Sequence, residues 1–418
     1  MTGRRRFFSA LRNLTAGGVT ARFLEAAKPA GRTMEQGEDY YEKLGVTKII
    51  NAAGTYTALT ASTMPPSVQA AVARAAKHPV RLADLQKASG EYIAKKLRCE
   101  AALVSAGASS ALTLGAAGAL MAANKCGIRD IPNNVAGMRK NEILMQKAHR
   151  YGYDQGLLCC GVKIVEVETL EQYKAAFNDR TLLAHFFNAA EAGEISREDW
   201  IRVARERGVP TFNDAAADVP PISNLWKYTQ MGFDLVTFSG GKGIRGPQNA
   251  GLLLGRKDLI DAAAANNNPY DGVARGQKVA KEQIVGMVAA VDWLLSQTDE
   301  TLDAEFRGRA DRIARQLKGI PTLETEIAVP PVANHVPHLL IRYDQNRVKI
   351  APRDVLHELR AGTPSIELNP STGSARPASA GMPGGPDTIV VGVWMLEPGE
   401  DLIVARRLHE VLTRAARA

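Results

Sequence analysis

No run of this chain is long and apolar enough to span a membrane as a helix, so no helical membrane anchor is expected. Cysteine is scarce. Cys99, Cys126 and the adjacent Cys159 and Cys160 show no CxxC spacing, and neighbours in sequence do not form an ordinary disulfide. Neither a zinc site nor a disulfide framework is expected, and no metal is assigned. Also missing is any basic block interleaved with aromatics. The net charge of +8 and the pI of about 9.3 therefore read as a mild preference for anionic small molecules, with no nucleic-acid footprint. Part of that charge sits at the ends, in Arg4, Arg5, Arg6, Arg12 and Arg22 and in Arg406, Arg407, Arg414 and Arg417. No internal repeat is visible.

What remains is ordinary globular material, 45% hydrophobic and 23% charged over 418 residues, enough to bury a large core. Three regions are expected: a tail over 1–38, a large domain over 39–298 and a small α+β domain over 299–418. The tail carries Arg4-Arg5-Arg6-Phe7-Phe8, which looks like a twin-arginine export signal, but Arg12, Arg22 and Glu25 interrupt the apolar stretch that should follow. A degenerate signal and a basic amphipathic helix fit equally. The expected location is cytoplasmic, with twin-arginine export as the alternative.

Through the middle of the chain, short apolar β-branched runs alternate with helical spacing. Strands are expected near 101–104, 143–146, 163–167, 181–187, 210–213 and 235–238, with helices between them. That alternation argues for a mostly parallel sheet covered by helices on both faces. Ligands bind such sheets at the carboxyl ends of the strands. Polar candidates cluster there: Ser105 to Ser110, Asn188, Asp214, and Ser239 to Lys242 each follow an apolar strand.

The stretch Ser239-Gly240-Gly241-Lys242-Gly243 places one amine on a glycine-rich turn between two apolar runs. Glycine admits positive φ and lets other groups approach the backbone. An exposed hairpin lysine would satisfy the same pattern. The more specific reading makes Lys242 the residue that forms a Schiff base with pyridoxal 5′-phosphate (PLP). Such a cofactor needs a carboxylate at its ring nitrogen, and Asp214 ends the strand one crossover upstream. An N-cap or turn aspartate is the simpler role for it. The phosphate needs a helix N-terminus and hydroxyls, supplied by Gly107, Ala108, Ser109 and Ser239. His149, after a strand, is the candidate for the ring stacked on the cofactor, although a lone histidine is more often structural. Asn188 is grouped with these cofactor-binding candidates.

Three segments carry a family resemblance. Ser239-Gly-Gly-Lys-Gly-Ile-Arg-Gly-Pro-Gln-Asn-Ala-Gly and Ile50-Asn-Ala-Ala-Gly-Thr-Tyr-Thr resemble the selenocysteine synthase (L-seryl-tRNA(Sec) selenium transferase) branch of fold-type I PLP enzymes. Gly272-Val-Ala-Arg-Gly-Gln-Lys-Val-Ala-Lys-Glu-Gln-Ile-Val-Gly resembles the D-glucosaminate-6-phosphate ammonia-lyase group within that branch. The resemblance covers most of the chain. It implies the aspartate aminotransferase-like fold, a homodimer or larger assembly with an active site shared between subunits, and the roles given above to Lys242, Asp214 and Ser239. Only about forty residues precede the expected fold, too few for the tRNA-binding domain of the transferases, and Gly241 replaces the acidic residue usual before their lysine. No nucleic-acid partner is expected. Glu367 falls where the branch often has an arginine, so Arg245 and Arg275 become candidates for the substrate's carboxylate or phosphate, with Thr55 and Tyr56 beside them. The expected activity is α,β-elimination on a small amino acid or amino sugar acid, giving a keto acid and ammonia. Selenium transfer on an aminoacylated substrate, racemisation and aldol cleavage would use the same residues.

Overall fold

The computed structural model describes residues 38–188, 193–375, 381 and 384–418. The arginine motif at 4–8 and part of the Gly/Ser/Pro-rich stretch at 370–386 lie outside them. The chain divides into two compact units, Met1–Lys48 and Ile49–Ala418. Among the described residues of the first unit is a single helical turn, Tyr40–Lys43, whose N-cap Asp39 accepts from the Tyr41 and Glu42 amides.

The strands of the second unit are, in chain order, β1 (Ile49–Ala52), β2 (Ala101–Ser105), β3 (Glu142–Gln146), β4 (Lys163–Val167), β5 (Thr181–Phe187), β6 (Thr211–Asp214), β7 (Leu235–Ser239), β8 (Gly251–Gly255), β9 (Glu324–Ala328), β10 (His338–Arg342), β11 (Ser365–Leu368) and β12 (Thr388–Gly392). Seven form one sheet in the order β2-β8-β7-β6-β5-β3-β4. Only β8 runs against its neighbours. Two smaller sheets, β1-β11 and β12-β10-β9, complete the unit.

The large sheet is apolar on both faces, as its covering helices demand. Leu103, Ile143, Met145, Leu183, Leu235 and Leu253 face one core. Their neighbours Val104, Leu144, Ala184, Val236, Leu252 and Leu254 face the other. The first core is closed by the helix Gly107–Asn124, whose small residues permit close approach. A methyl group on Gly115 would sit 2.4 Å from the Phe212 ring, and one on Gly118 would sit 2.6 Å from the Leu259 carbonyl. The second core continues into the helices Arg197–Glu206 and Lys281–Leu295 and into the antiparallel sheet beyond residue 320. The helices Asn224–Met231 and Lys257–Ala264 and the strands β9 and β11 were not expected from the sequence.

Candidate active site

Register decides what meets at the carboxyl edge of the sheet. Ser105 is opposite Gly251, and Gly251 is opposite Ser239. On the same strand as Ser239, Thr237 is opposite Asp214, and Asp214 is opposite Phe187. The helix beginning at Gly107 starts over this row. A methyl group on Gly251 would strike the Gly107 carbonyl carbon at 2.5 Å and the Ala108 nitrogen at 2.8 Å. The strand ends thus gather Ser239, the Gly107–Ser109 turn and Asp214 along one edge.

Lys242 stands three residues past Ser239. The Gly240 amide donates to the Ala250 carbonyl, and the Gly246 amide donates to the Gly240 carbonyl, both at 2.7 Å. The glycines are required by crowding, since a methyl group on Gly243 would lie 2.0 Å from the Val219 carbonyl oxygen. Positive φ, which the sequence suggested for them, occurs instead at Arg245 (φ 56°). Burial lowers the Lys242 pKa, and the nearby carboxylates of Asp214 and Asp218 oppose that shift. Among the described residues its amine has no hydrogen bond or ion pair.

Asp214 is 2% exposed. Its Oδ1 accepts from the Ala216 amide at 3.0 Å and its Oδ2 from the Tyr151 hydroxyl at 2.5 Å. Burial raises its pKa, while these two donors and the Lys242 charge pull it down. Asp218 is also buried, and its Oδ2 accepts from the Tyr228 hydroxyl at 2.8 Å.

Lys242 opens onto a cavity of about 380 Å³. Thr55, Tyr56, Tyr151, Tyr153 and Phe187 line it together with Asn334, His338, Asn369 and Trp394. The Asn334 amide donates to the Ala217 carbonyl at 2.7 Å and ties that residue to the loop after Asp214. His338 donates from Nδ1 to the Val336 carbonyl at 2.9 Å, so its Nε2 is an acceptor. Burial holds its pKa down at about 4, and the ring stays neutral near pH 7.

Several sequence candidates lie elsewhere. His149 is buried behind the wall, where its Nδ1 accepts from the Phe187 amide at 3.3 Å and its ring meets Phe186 edge-on at 4.5 Å. Of the two rings that follow β3, Tyr151 is the one that lines the cavity, stacked on Phe187 at 3.9 Å. Asn188 supports the strand end: its amide donates to the Asp214 carbonyl, and its Oδ1 accepts from Arg197 at 2.8 Å. Arg245 turns away from the cavity, donating to the Thr63 carbonyl at 2.8 Å and to Glu397 at 3.0 Å. Arg275 is exposed, 3.7 Å from Asp271. Glu367 is committed to Arg360 through three contacts of 2.7–3.0 Å on β11, so it does not stand free for a substrate. Tyr151, Asn334, His338, Asn369 and Trp394 were missed. The sequence signal available for Tyr151 was its place just after β3, where the same argument chose His149.

The chemistry of this edge fits PLP. Among the described residues it offers an unpaired amine, a buried carboxylate each of whose oxygens accepts one hydrogen bond, and a helix start at Ala106 that no side chain caps. Ser110 there is buried, and its hydroxyl has no partner among the described residues.

An α/β sheet of this order, with a lysine and a carboxylate at its carboxyl edge, belongs to the fold-type I PLP-dependent enzymes, and the chain is an enzyme of that class. More narrowly, it belongs to the L-seryl-tRNA selenium transferase (SelA) family, whose sequence profile matches residues 49–333. It is 28% identical to D-glucosaminate-6-phosphate ammonia lyase of Salmonella typhimurium, over 90% of this chain and 98% of that protein. It is also 28% identical to a 5′-C-glycyluridine monooxygenase-decarboxylase of Streptomyces sp., over 78% and 83% of the two chains. The solved structure of a D-glucosaminate-6-phosphate ammonia-lyase superposes with a TM-score of 0.76 at 25% identity, covering 91% of this chain and 99% of that one. Among the described residues no helix is long and apolar enough to cross a membrane.

Proposed function

We propose that this chain catalyses α,β-elimination on a small amino acid or amino sugar acid. Lys242 and Asp214 hold the reactive part of the cofactor, and Ser239 with the Gly107, Ala108 and Ser109 turn holds its phosphate. The observation that carries this reading is the unpaired, desolvated amine of Lys242, which lines the cavity and feels two buried carboxylates, Asp214 and Asp218. Similarity to an ammonia lyase along nearly that protein's whole length supports the reaction class.

When bound, PLP supplies an electron sink for charge left at the substrate's α-carbon. Proton movement falls to Lys242. A lowered pKa leaves more of its amine neutral and able to take the α-proton, and the resulting ammonium can protonate the departing hydroxyl. The Cα–H and Cβ–O bonds break, a C=C bond forms and water leaves. The enamine tautomerises and takes up water, so a β-hydroxy amino acid becomes a 2-keto acid and ammonia. Asp214, held by Tyr151 and the Ala216 amide, is the carboxylate for the ring nitrogen. Thr55 and Tyr56 contact the substrate from the cavity wall. Arg275, being exposed, is available to a neighbouring subunit's site in the homodimer or larger assembly that we also propose, with no nucleic-acid partner.

The family match over 49–333 favours a second reading, transfer on an aminoacylated substrate. The discriminating assay measures ammonia and keto acid from a panel of amino sugar acids and β-hydroxy amino acids. Release by the native protein, reduced about 10³-fold or more in Lys242→Ala, is expected. No ammonia from any of them, with turnover of seryl-tRNA, would replace elimination by transfer.

A further inference from the structure

We propose that His185 and Tyr151 form a two-step hydrogen-bond chain that positions Asp214 and holds it as a carboxylate toward the cofactor ring. The proposal rests on the reading of Asp214 as the partner of the ring nitrogen. Both links can be oriented. A carboxylate only accepts, so the Tyr151 hydroxyl spends its one hydrogen on Asp214 Oδ2, at 2.5 Å. The contact between the Tyr151 oxygen and His185 Nε2, at 3.3 Å, must then be donated by the imidazole. That places the His185 proton on Nε2 and leaves Nδ1 bare. Nδ1 is the nitrogen that lies buried without a partner. Complete burial on β5 holds the His185 pKa down at about 3, so the ring stays neutral and carries a single proton.

Packing fixes both rings. Tyr151 is stacked on Phe187 with centroids 3.9 Å apart, and His185 stands edge-on to Phe212 at 5.6 Å. The charged and titratable groups that bear on Asp214 are Tyr151 from the segment after β3, Lys242 from the turn after β7, and Asp218 four residues along its own segment. Lys242 and Tyr151 favour the ionised carboxyl, whereas burial and Asp218 disfavour it. Among the described residues Tyr151 is the one side-chain donor to Asp214. The place of His149 after a strand suggested it for the aromatic role, and the sequence singled out neither Tyr151 nor His185.

The test is PLP affinity by equilibrium dialysis at several pH values between 6 and 8.5, read as the ratio of variant to native Kd so that the cofactor's own ionisation cancels. Tyr151→Phe keeps the ring stacked on Phe187 and removes only the hydroxyl. Its Kd ratio is expected near tenfold at pH 6, falling toward one by pH 8.5 as the carboxyl ionises unaided. Tyr151→Leu should add a pH-independent loss to the same slope. If Tyr151→Phe does not fold, judged by near-ultraviolet circular dichroism, His185→Leu carries the test and should show the same slope at smaller size. A ratio that is flat with pH, whatever its size, overturns the chain. Asp214→Asn guards the underlying reading: if it binds PLP like the native protein, Asp214 does not face the ring. If it binds poorly while the Tyr151→Phe ratio stays flat, only the chain fails.

Discussion

Three histidines sit buried and neutral in this protein. Burial holds His149 and His338 at about 4 and His185 at about 3, against an ordinary value of 6.5. The unfolded chain therefore binds protons between pH 6.5 and 4 that the folded chain refuses. Their contribution to stability is intact above pH 6.5 and is lost as the pH falls through that window. Asp214 and Asp218, whose carboxyls burial raises, act in the opposite sense. The thermal midpoint should fall on acidification from pH 6.5 to 4.5, the range in which the three histidines of the unfolded chain take up their protons. His338→Gln should flatten that slope, by an amount set by a shift worth about 3 kcal/mol at its limit. A thermal-melt series in matched buffers checks it, and an unchanged slope would exclude His338 as a contributor. At the same scale, Arg245 shows why residue type alone misleads. A guanidinium three residues past the cavity-lining Lys242 looked available to a substrate, yet Arg245, at a positive φ, donates to Thr63 and Glu397.

The glycine turn and the Gly107–Asn124 helix are the elements on which the site depends, and both are limited by space. Gly243→Ala would press a methyl group to 2.0 Å from the Val219 carbonyl, a rigid backbone atom. The turn must shift, carrying Lys242 with it. PLP retention after gel filtration should drop sharply while far-ultraviolet circular dichroism stays native. Gly115→Ala sits at the sheet face far from Lys242 in sequence, where its methyl group would meet the Phe212 ring at 2.4 Å. The ring can yield, so the expected cost is about 1–3 kcal/mol of unfolding free energy with cofactor binding preserved. Urea denaturation separates the two outcomes. The small-residue content of that helix already implied close packing. Which glycine meets which neighbour depends on partners from 97 to 145 residues away in the chain.

The Ile49–Ala418 unit is closed around its cavity by segments that are distant in the chain. A ligand that binds only this assembled form must stabilise it by mass action. Saturating PLP at 100 times its Kd should add about 2.7 kcal/mol and raise the thermal midpoint by a few degrees. Lys242→Ala should lose most of that rise, as a thermal-shift titration would show.

The alternation of apolar runs and helical spacing specified a parallel sheet with both faces covered. It also placed Asp214, Ser239, Lys242 and the Gly107 turn at strand ends, because strand period, turn chemistry and helix starts are written in neighbours a few residues apart. What lay beyond that range was decided by packing. The order of the strands brought Ser105, Gly251 and Ser239 into one row. Asn334, His338, Asn369 and Trp394 joined the cavity lining from far along the chain. Tyr151 turned to the cavity and His149 away from it because one hydroxyl could reach Asp214 while one imidazole fitted against Phe186 and the Phe187 amide. Those choices depend on which surfaces meet once the sheet has twisted and the helices have docked, and no short stretch of sequence contains that information.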